Sequence, residues 1–143
     1  MRVAISGAGV AGTALAYWLH RTGHNPTVIE RAPAFRSGGY MIDFWGVGYT
    51  VAKRMGLEAQ ILDKGYQIDS VGADGRTRAM LDANVFGHLL GDDFTSLPRG
   101  DLAATIHATI AEQVEMIYGD SITAVDQDDN CVRLTFGHAG PRE

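Results

Sequence analysis

Three closely spaced glycines near the start of the chain have the spacing of a loop that binds phosphate groups. The loop reads Gly7-Ala8-Gly9-Val10-Ala11-Gly12. The first glycine permits a tight turn after a strand, the second lets a pyrophosphate approach the backbone, and the third lets a helix pack closely on the strand. Because the following helix presents unpaired N–H groups at the positive end of its dipole, the loop is predicted to hold the pyrophosphate of a dinucleotide.

Glu30 is the second residue whose type and position suggest binding chemistry. It follows the glycine loop by about 20 residues, where dinucleotide-binding units place the acid that accepts hydrogen bonds from the ribose hydroxyls. A carboxylate there repels a 2′-phosphate, which disfavours NADP at this site. The alternative interpretation is a glutamate at a strand end that faces solvent. These residues together predict a dinucleotide site, but they do not separate FAD from NAD.

The elements around this loop are those that such a site needs. The pattern predicts a strand over Arg2–Ser6, a helix over Thr13–Thr22 and a strand over Pro26–Glu30. In the helix, Leu15, Trp18 and Leu19 fall on one face. A β-α-β unit of this length crosses over right-handed and builds parallel sheet, so the predicted fold class is α/β with a Rossmann-like domain.

The rest of the chain adds short helices, strands and β-hairpins to this unit. Helices are predicted over 47–55, 57–64 and 100–113, and strands over 40–44, 94–97 and 115–118. Asp74-Gly75 joins a predicted hairpin of 66–71 with 77–81, and a second hairpin pairs 122–125 with 131–136. No linker divides the chain, so one domain over residues 1–143 is expected.

Composition and charge exclude several classes of partner. With a net charge of −5 and no basic cluster, the chain is not expected to bind nucleic acid. No apolar run reaches the roughly 18 residues of a spanning helix, so no membrane contact is expected. The five histidines lack the spacing of metal ligands, and the single cysteine suits a reducing, cytoplasmic compartment.

Three stretches of the sequence together resemble the N-terminal portion of class A flavoprotein monooxygenases, the para-hydroxybenzoate hydroxylase type. They are most similar to the branch that inactivates tetracyclines. The stretches are R-V-A-I-S-G-A-G-V-A-G-T-A-L-A at 2–16 with V-I-E-R at 28–31, R-S-G-G-Y-M-I-D-F at 36–44, and L-P-R-G-D-L at 97–102. The acid followed by arginine at 30–31 is typical of the FAD enzymes, and the resemblance extends from residue 1 to about residue 136.

The resemblance implies FAD as cofactor and adds residues to the predicted site. A Gly-Gly loop that includes Gly39 would run along the flavin, Asp43 would touch the cofactor, and Arg99 at the start of a helix would contact it. Arg31 and Arg36 could neutralise the pyrophosphate, although arginines in loops are usually solvated. Asp43 lies in an apolar stretch, where a carboxylate is costly unless it is hydrogen-bonded.

The implied activity is hydroxylation of an aromatic or polyketide-like small molecule with NAD(P)H and oxygen, the cofactor carrying the redox chemistry. No catalytic acid–base residue is expected in these 143 residues. The alternatives are a non-catalytic FAD- or nucleotide-binding module, or a truncated remnant. A small NAD-dependent dehydrogenase is disfavoured because no Tyr/Lys or His/Asp arrangement follows the β-α-β unit.

The sequence departs from the family in two ways. Asp74-Gly75 imitates the family's Asp-Gly fingerprint but precedes Leu97-Pro98-Arg99, so it is interpreted as a hairpin turn. The fingerprint itself, a later Gly-Asp motif and the substrate domain fall outside the chain, which is C-terminally truncated relative to the family. We therefore expect this chain alone not to be catalytically competent. The strand Arg2–Ser6 should lack a neighbour on one side, which favours self-association or pairing with a C-terminal part.

Overall fold

The computed structural model describes residues 1–36, 38–65 and 93–142, which divide into two compact units. The first unit comprises Met1–Ser37 with Ile106–Glu143, and the second comprises Gly38–Thr105. The elements in chain order are β1 (Arg2–Ser6), α1 (Val10–Arg21), β2 (Asn25–Glu30), β3 (Met41–Trp45), α2 (Gly46–Arg54), α3 (Glu58–Asp63), β4 (Phe94–Pro98), α4 (Arg99–Ala108), β5 (Glu115–Tyr118), β6 (Ile122–Gln127) and β7 (Val132–Phe136). The single domain over 1–143 stays a prediction.

The first unit is built on a parallel sheet of three strands in the order β1-β2-β5. Ile5 of β1 lies opposite Val28 of β2, and Glu30 at the end of β2 lies opposite Tyr118 of β5. The predicted β-α-β unit and the α/β fold class are confirmed, and β5 lies beyond β2. Within the described residues, β2 is the one strand paired with β1, so β1 forms an edge of this sheet.

The buried face of α1 differs from the predicted one. Thr13, Ala16 and Tyr17 are buried, whereas Leu15 is 50% exposed. Trp18 and Leu19, which share a helix face with Leu15, are half-buried. The helix follows the glycine loop directly and packs on β1 and β2, where the close approach of the backbones suits the small side chains of Thr13 and Ala16.

The second unit contains an antiparallel pair, β3 with β4, and the helices α2 and α3. Side chains on both faces of β4 are buried, while β3 alternates between half-buried and exposed positions. Tyr49 of α2 and Ile61 of α3 are almost fully buried and belong to the core of this unit. The predicted hairpin of 66–71 with 77–81, joined by Asp74-Gly75, lies outside the described residues.

The last predicted helix is shorter than expected. The sequence predicts helix over 100–113, but α4 ends at Ala108 and tighter turns follow it. Thr109 N–H donates to the Ile106 carbonyl, and the Thr109 hydroxyl donates to the same oxygen at 2.7 Å. A threonine side chain that competes for backbone carbonyls in this way weakens the regular helical hydrogen bonds.

Asp120 ties the second hairpin to the end of β5. Its carboxylate, 4% exposed, accepts four backbone N–H bonds, from Ser121, Gly137, His138 and Ala139. Burial raises the pKa of this carboxyl as the largest single effect, but the four donors together bring the pKa below its ordinary value. The predicted hairpin of β6 with β7 is confirmed, and the ionised Asp120 holds the turn that follows β7.

We expect Asp120→Asn to lower the melting temperature of the chain more than Asp128→Asn, measured by circular dichroism at pH 7. Asp128 is the matched control because its exposed carboxylate also accepts backbone N–H bonds, from Asn130 and Cys131. A carboxyl with a lowered pKa stabilises the fold above its unfolded pKa of about 4, and this contribution disappears as the pH falls through the folded value. The difference between wild type and Asp120→Asn should therefore shrink below about pH 4. A constant difference down to pH 2 would contradict the role of the charge.

Candidate dinucleotide-binding site

The glycine loop leaves β1 through a conformation that only glycine adopts readily. Gly7 has a φ of +101°, and its N–H donates to the Ile29 carbonyl at 2.7 Å, which fixes the turn to the neighbouring strand. A Cβ at Gly12 would collide with the carbonyl oxygen of Gly7 and would lie 3.4 Å from Ile5 Cγ2. These contacts agree with the predicted turn at Gly7 and with close packing of helix on strand at Gly12.

The first turn of α1 presents three unpaired backbone donors. The first helical bond runs from Thr13 N–H to the Gly9 carbonyl, so the N–H groups of Val10, Ala11 and Gly12 have no partner within the described residues. No side chain caps this end, and no acidic residue lies in the first turn. Free donors at the positive end of a helix dipole fit the pyrophosphate of a dinucleotide.

Glu30 joins the glycine loop to the segment that follows β2. One carboxylate oxygen accepts the Ala32 N–H at 2.8 Å, and the other accepts the Ala8 N–H at 2.9 Å. These two backbone bonds, that from Ala32 first, lower the pKa of Glu30, so the side chain is ionised at neutral pH. Each oxygen keeps a further lone pair, and the half-buried side chain can accept hydrogen bonds from two ribose hydroxyls.

Arg31 and Arg36 carry positive charge next to this carboxylate. Both side chains are exposed, and their charges add to the lowering of the Glu30 pKa, Arg36 more than Arg31. Neither forms an ion pair with an acid among the described residues. Their charges are therefore available to an anionic ligand at the carboxyl end of the sheet.

An aromatic cluster that no sequence motif predicts is formed by Phe35, His107 and Tyr118. His107 Nε2 is hydrogen-bonded to the Tyr118 hydroxyl at 2.7 Å, and the Phe35 ring lies on the imidazole with centroids 4.4 Å apart. Burial lowers the pKa of His107, which is therefore neutral at pH 7. The cluster anchors the segment that carries Arg31 and Arg36. The one sequence signal was a histidine in the middle of a predicted helix.

In the second unit, the structure brings Gly39 and Arg99 together. Gly38 and Gly39 have φ values of +121° and +132°, in the region that favours glycine. A Cβ at Gly100 would collide with the backbone of Gly38, and Arg99 N–H donates to the Tyr40 carbonyl at 3.0 Å. The Gly-Gly segment therefore lies against the first turn of α4, where the Arg99 side chain is exposed.

Asp43 lies on the exposed face of β3, with Met41 and Trp45. Strand alternation places its apolar neighbours Ile42 and Phe44 on the opposite, half-buried face. Asp43 is nevertheless hydrogen-bonded, since Ser96 Oγ donates to its Oδ1. This residue of the predicted site is thus accessible to a ligand of the second unit.

The described residues contain no group of three or more His, Cys, Asp or Glu side chains arranged to hold a metal ion. In the same part of the chain, no helix has the length and apolar character to cross a membrane.

The predicted binding residues fall into two groups, one in each unit. The glycine loop, Glu30, Arg31 and Arg36 are in the first unit, and Gly39, Asp43 and Arg99 are in the second.

We expect Gly12→Ala to reduce the free energy of unfolding by about 1–3 kcal/mol, the usual cost of forcing an extra methyl group into a packed site. The collision is with backbone at Gly7, which cannot move as a flexible side chain would. Gly140→Ala is the matched control, because no atom lies within 4 Å of its added Cβ. Urea unfolding measures both. Equal stability of the two variants would contradict the close packing of α1 on β1.

The relatives of this chain are longer proteins. It is 36% identical over 145 residues to an uncharacterized protein of Mycobacterium tuberculosis and 32% identical over 139 residues to a flavin-dependent monooxygenase of Legionella longbeachae. These alignments cover 99% and 95% of this chain but only 39% and 35% of the relatives. The chain thus spans less than two fifths of the curated relatives that it matches, and no protein-family model matches it.

A solved structure shares the same fold. The crystal structure of tetracycline destructase Tet(55) matches with a TM-score of 0.80 and 29% sequence identity, over 98% of this chain and 35% of that one. The resemblance drawn from the three sequence stretches is confirmed, and FAD is the cofactor of the family. By sequence and by fold, the chain is similar to the N-terminal, FAD-binding portion of flavin-dependent monooxygenases.

Proposed function

We propose that the first unit holds the pyrophosphate and adenosine ribose of FAD, for an FAD-dependent monooxygenase that hydroxylates an aromatic or polyketide-like small molecule with NAD(P)H and oxygen. The observation that carries the binding proposal is Glu30. Its ionised carboxylate is held at the carboxyl end of the sheet by N–H bonds from Ala8, in the glycine loop that leads into α1, and from Ala32.

Each residue of the first unit then has a physical task. The N–H groups of Val10, Ala11 and Gly12 donate to pyrophosphate oxygens, and Gly9 leaves room for the phosphates to approach. Glu30 accepts hydrogen bonds from the ribose hydroxyls and repels a 2′-phosphate. Arg31 and Arg36 offset the negative charge of the pyrophosphate. When bound, FAD supplies the redox chemistry, and these residues bind and orient it.

The second unit is proposed to contact the flavin end of the same cofactor. By resemblance, Gly39 runs along the flavin, and Asp43 and Arg99 contact it. Their exposure within the second unit supports this role, since both polar side chains are free to meet a ligand. On this proposal the two units are parts of one FAD-binding domain. None of these residues is proposed to transfer a proton during hydroxylation.

The proposed substrate class is drawn from the compounds that appear in the names of similar proteins. One is a 6-hydroxynicotinate 3-monooxygenase of Bordetella bronchiseptica, 30% identical over 99% of this chain and 38% of its own length. Another is a tetracycline destructase. Both names refer to ring compounds, which supports an aromatic or polyketide-like substrate for the longer protein. A non-catalytic flavin-binding module is the alternative, because the residues assigned to the site all serve binding. A yellow chain that does not oxidise NADPH would favour the module.

We expect Glu30→Gln to weaken FAD binding by about 1.5–3 kcal/mol, because charge-assisted hydrogen bonds to the ribose are lost. Isothermal titration of the purified chain with FAD, NAD and NADP measures this. Wild type should prefer FAD and bind NADP most weakly. Glu112→Gln, an exposed glutamate, is the matched control and should leave the affinity unchanged. Preference of the wild type for NAD would contradict the flavin assignment.

We further propose that the edge of β1, which has no second neighbouring strand among the described residues, pairs with a strand from another copy of this chain or from a C-terminal part. Unpaired N–H and C=O groups of an apolar edge strand are a template for such pairing. Size-exclusion chromatography with light scattering should give a mass above that of the monomer. Ala4→Lys, which places a charge at an exposed position of β1, should reduce the association. A wild-type chain that stays monomeric at high concentration would refute this pairing.

A further inference from the structure

We propose that Ser96 is a positioning residue, whose hydroxyl holds the Asp43 carboxylate in the orientation in which it meets bound FAD. The inference rests on the proposed function, because it assigns to Asp43 a ligand that the second unit is proposed to contact. It adds a residue that neither the glycine loop nor the three resembling stretches identify. Ser96 lies just before the Leu97-Pro98-Arg99 stretch, on β4.

The geometry links the two side chains directly. Asp43 and Ser96 are opposite one another in the antiparallel register of β3 and β4, so their side chains lie on the same face of the pair. Ser96 Oγ donates to Asp43 Oδ1 at 2.6 Å, a short distance typical of a hydroxyl bonded to a carboxylate. The contact joins strands that are distant in the sequence and therefore depends on correct pairing of β3 with β4.

Burial of the two partners is strongly unequal. Ser96 is 2% exposed, whereas Asp43 is exposed and is flanked on its face of β3 by exposed Met41 and Trp45. The buried hydroxyl is fixed by its surroundings and satisfies one side of the carboxylate. Within the part of the chain that the structure describes, Asp43 Oδ2 has no hydrogen-bond partner.

Because Ser96 is buried and Asp43 is exposed, Ser96 orients the Asp43 side chain. An unrestrained aspartate on an exposed strand samples several rotamers, and binding a ligand through one of them costs entropy. The Ser96 bond to Oδ1 selects one rotamer before the ligand arrives and leaves Oδ2 without a partner among the described residues, on the exposed face of β3 that also carries Met41 and Trp45. A carboxylate oxygen on such an exposed, apolar face fits a hydrogen-bond donor on a flat, largely apolar group, as the flavin end of FAD provides.

The experiment is a double-mutant cycle on the chain with FAD as the titrated ligand. Ser96→Ala, Asp43→Asn and the double variant are compared with wild type by flavin fluorescence and by the absorption spectrum of bound FAD. Ser96→Ala should weaken FAD binding on the order of tenfold in the wild-type background and leave it unchanged in the Asp43→Asn background, because coupled residues are not additive. The spectra of Ser96→Ala and Asp43→Asn should shift in the same direction.

Controls separate positioning from a general loss of stability. Thr95→Ala removes a neighbouring buried hydroxyl of β4 whose side chain lies on the opposite face of the strand, so it should change melting temperature without changing the spectrum of bound FAD. Ser96→Cys keeps the side-chain volume with a weak donor, and it replaces Ser96→Ala if the latter does not fold. Its affinity should then lie below that of the wild type.

The possible results distinguish this inference from the proposed function. If Asp43→Asn weakens FAD binding and Ser96→Ala does not, or if their effects add, the positioning role is wrong while the FAD site stands. If Glu30→Gln weakens binding but Asp43→Asn has no effect, the role of Ser96 is also wrong, because its acid does not meet the cofactor. If none of the three variants alters FAD binding, the proposed function itself fails.

Discussion

The close approach of α1 to β1, made possible by Gly12, is the constraint on which the rest of the first unit depends. A Cβ at this position would collide with the Gly7 carbonyl oxygen, so any other residue would push the helix away from the strand. The same approach aims the free N–H groups of the first helical turn beyond the carboxyl end of the sheet. It also affects which helix residues are buried, because a small side chain such as that of Ala16 fits between the helix and the sheet, whereas Leu15 is exposed.

This close packing preorganises the Glu30 carboxylate. Since the glycine loop is fixed, Ala8 N–H can hold one oxygen of Glu30 while Ala32 N–H holds the other, and the carboxylate is ionised and oriented in the folded chain itself. The Phe35 ring, lying on His107, restrains the segment that follows β2. The conformational entropy of these groups is therefore lost on folding and not on binding, which favours affinity for a dinucleotide.

The second unit applies the same principle with a different element. Because β4 has buried side chains on both faces while β3 is half-buried on one face and exposed on the other, polar groups of β4 are fixed while those of β3 can reach a ligand. The cross-strand bond from Ser96 to Asp43 connects a fixed group to an accessible one. The tight fit of Gly100 against Gly38 likewise places the exposed Arg99 beside the Gly-Gly segment. In both units, rigid backbone contacts of glycine place charged side chains at the surface.

Local pattern determined the β-α-β unit, the glycine loop, Glu30 and the second hairpin, because each depends on residues close together in the chain whose spacing reflects backbone geometry. The assignment to FAD came from resemblance, since the same residues would serve NAD. Tertiary structure alone decided the buried face of α1, the early end of α4, the cluster of His107 with Tyr118 and the bond from Ser96 to Asp43. These features depend on how closely elements approach and on strand register, which bring together residues distant in the sequence, and helical or strand periodicity carries no information about either.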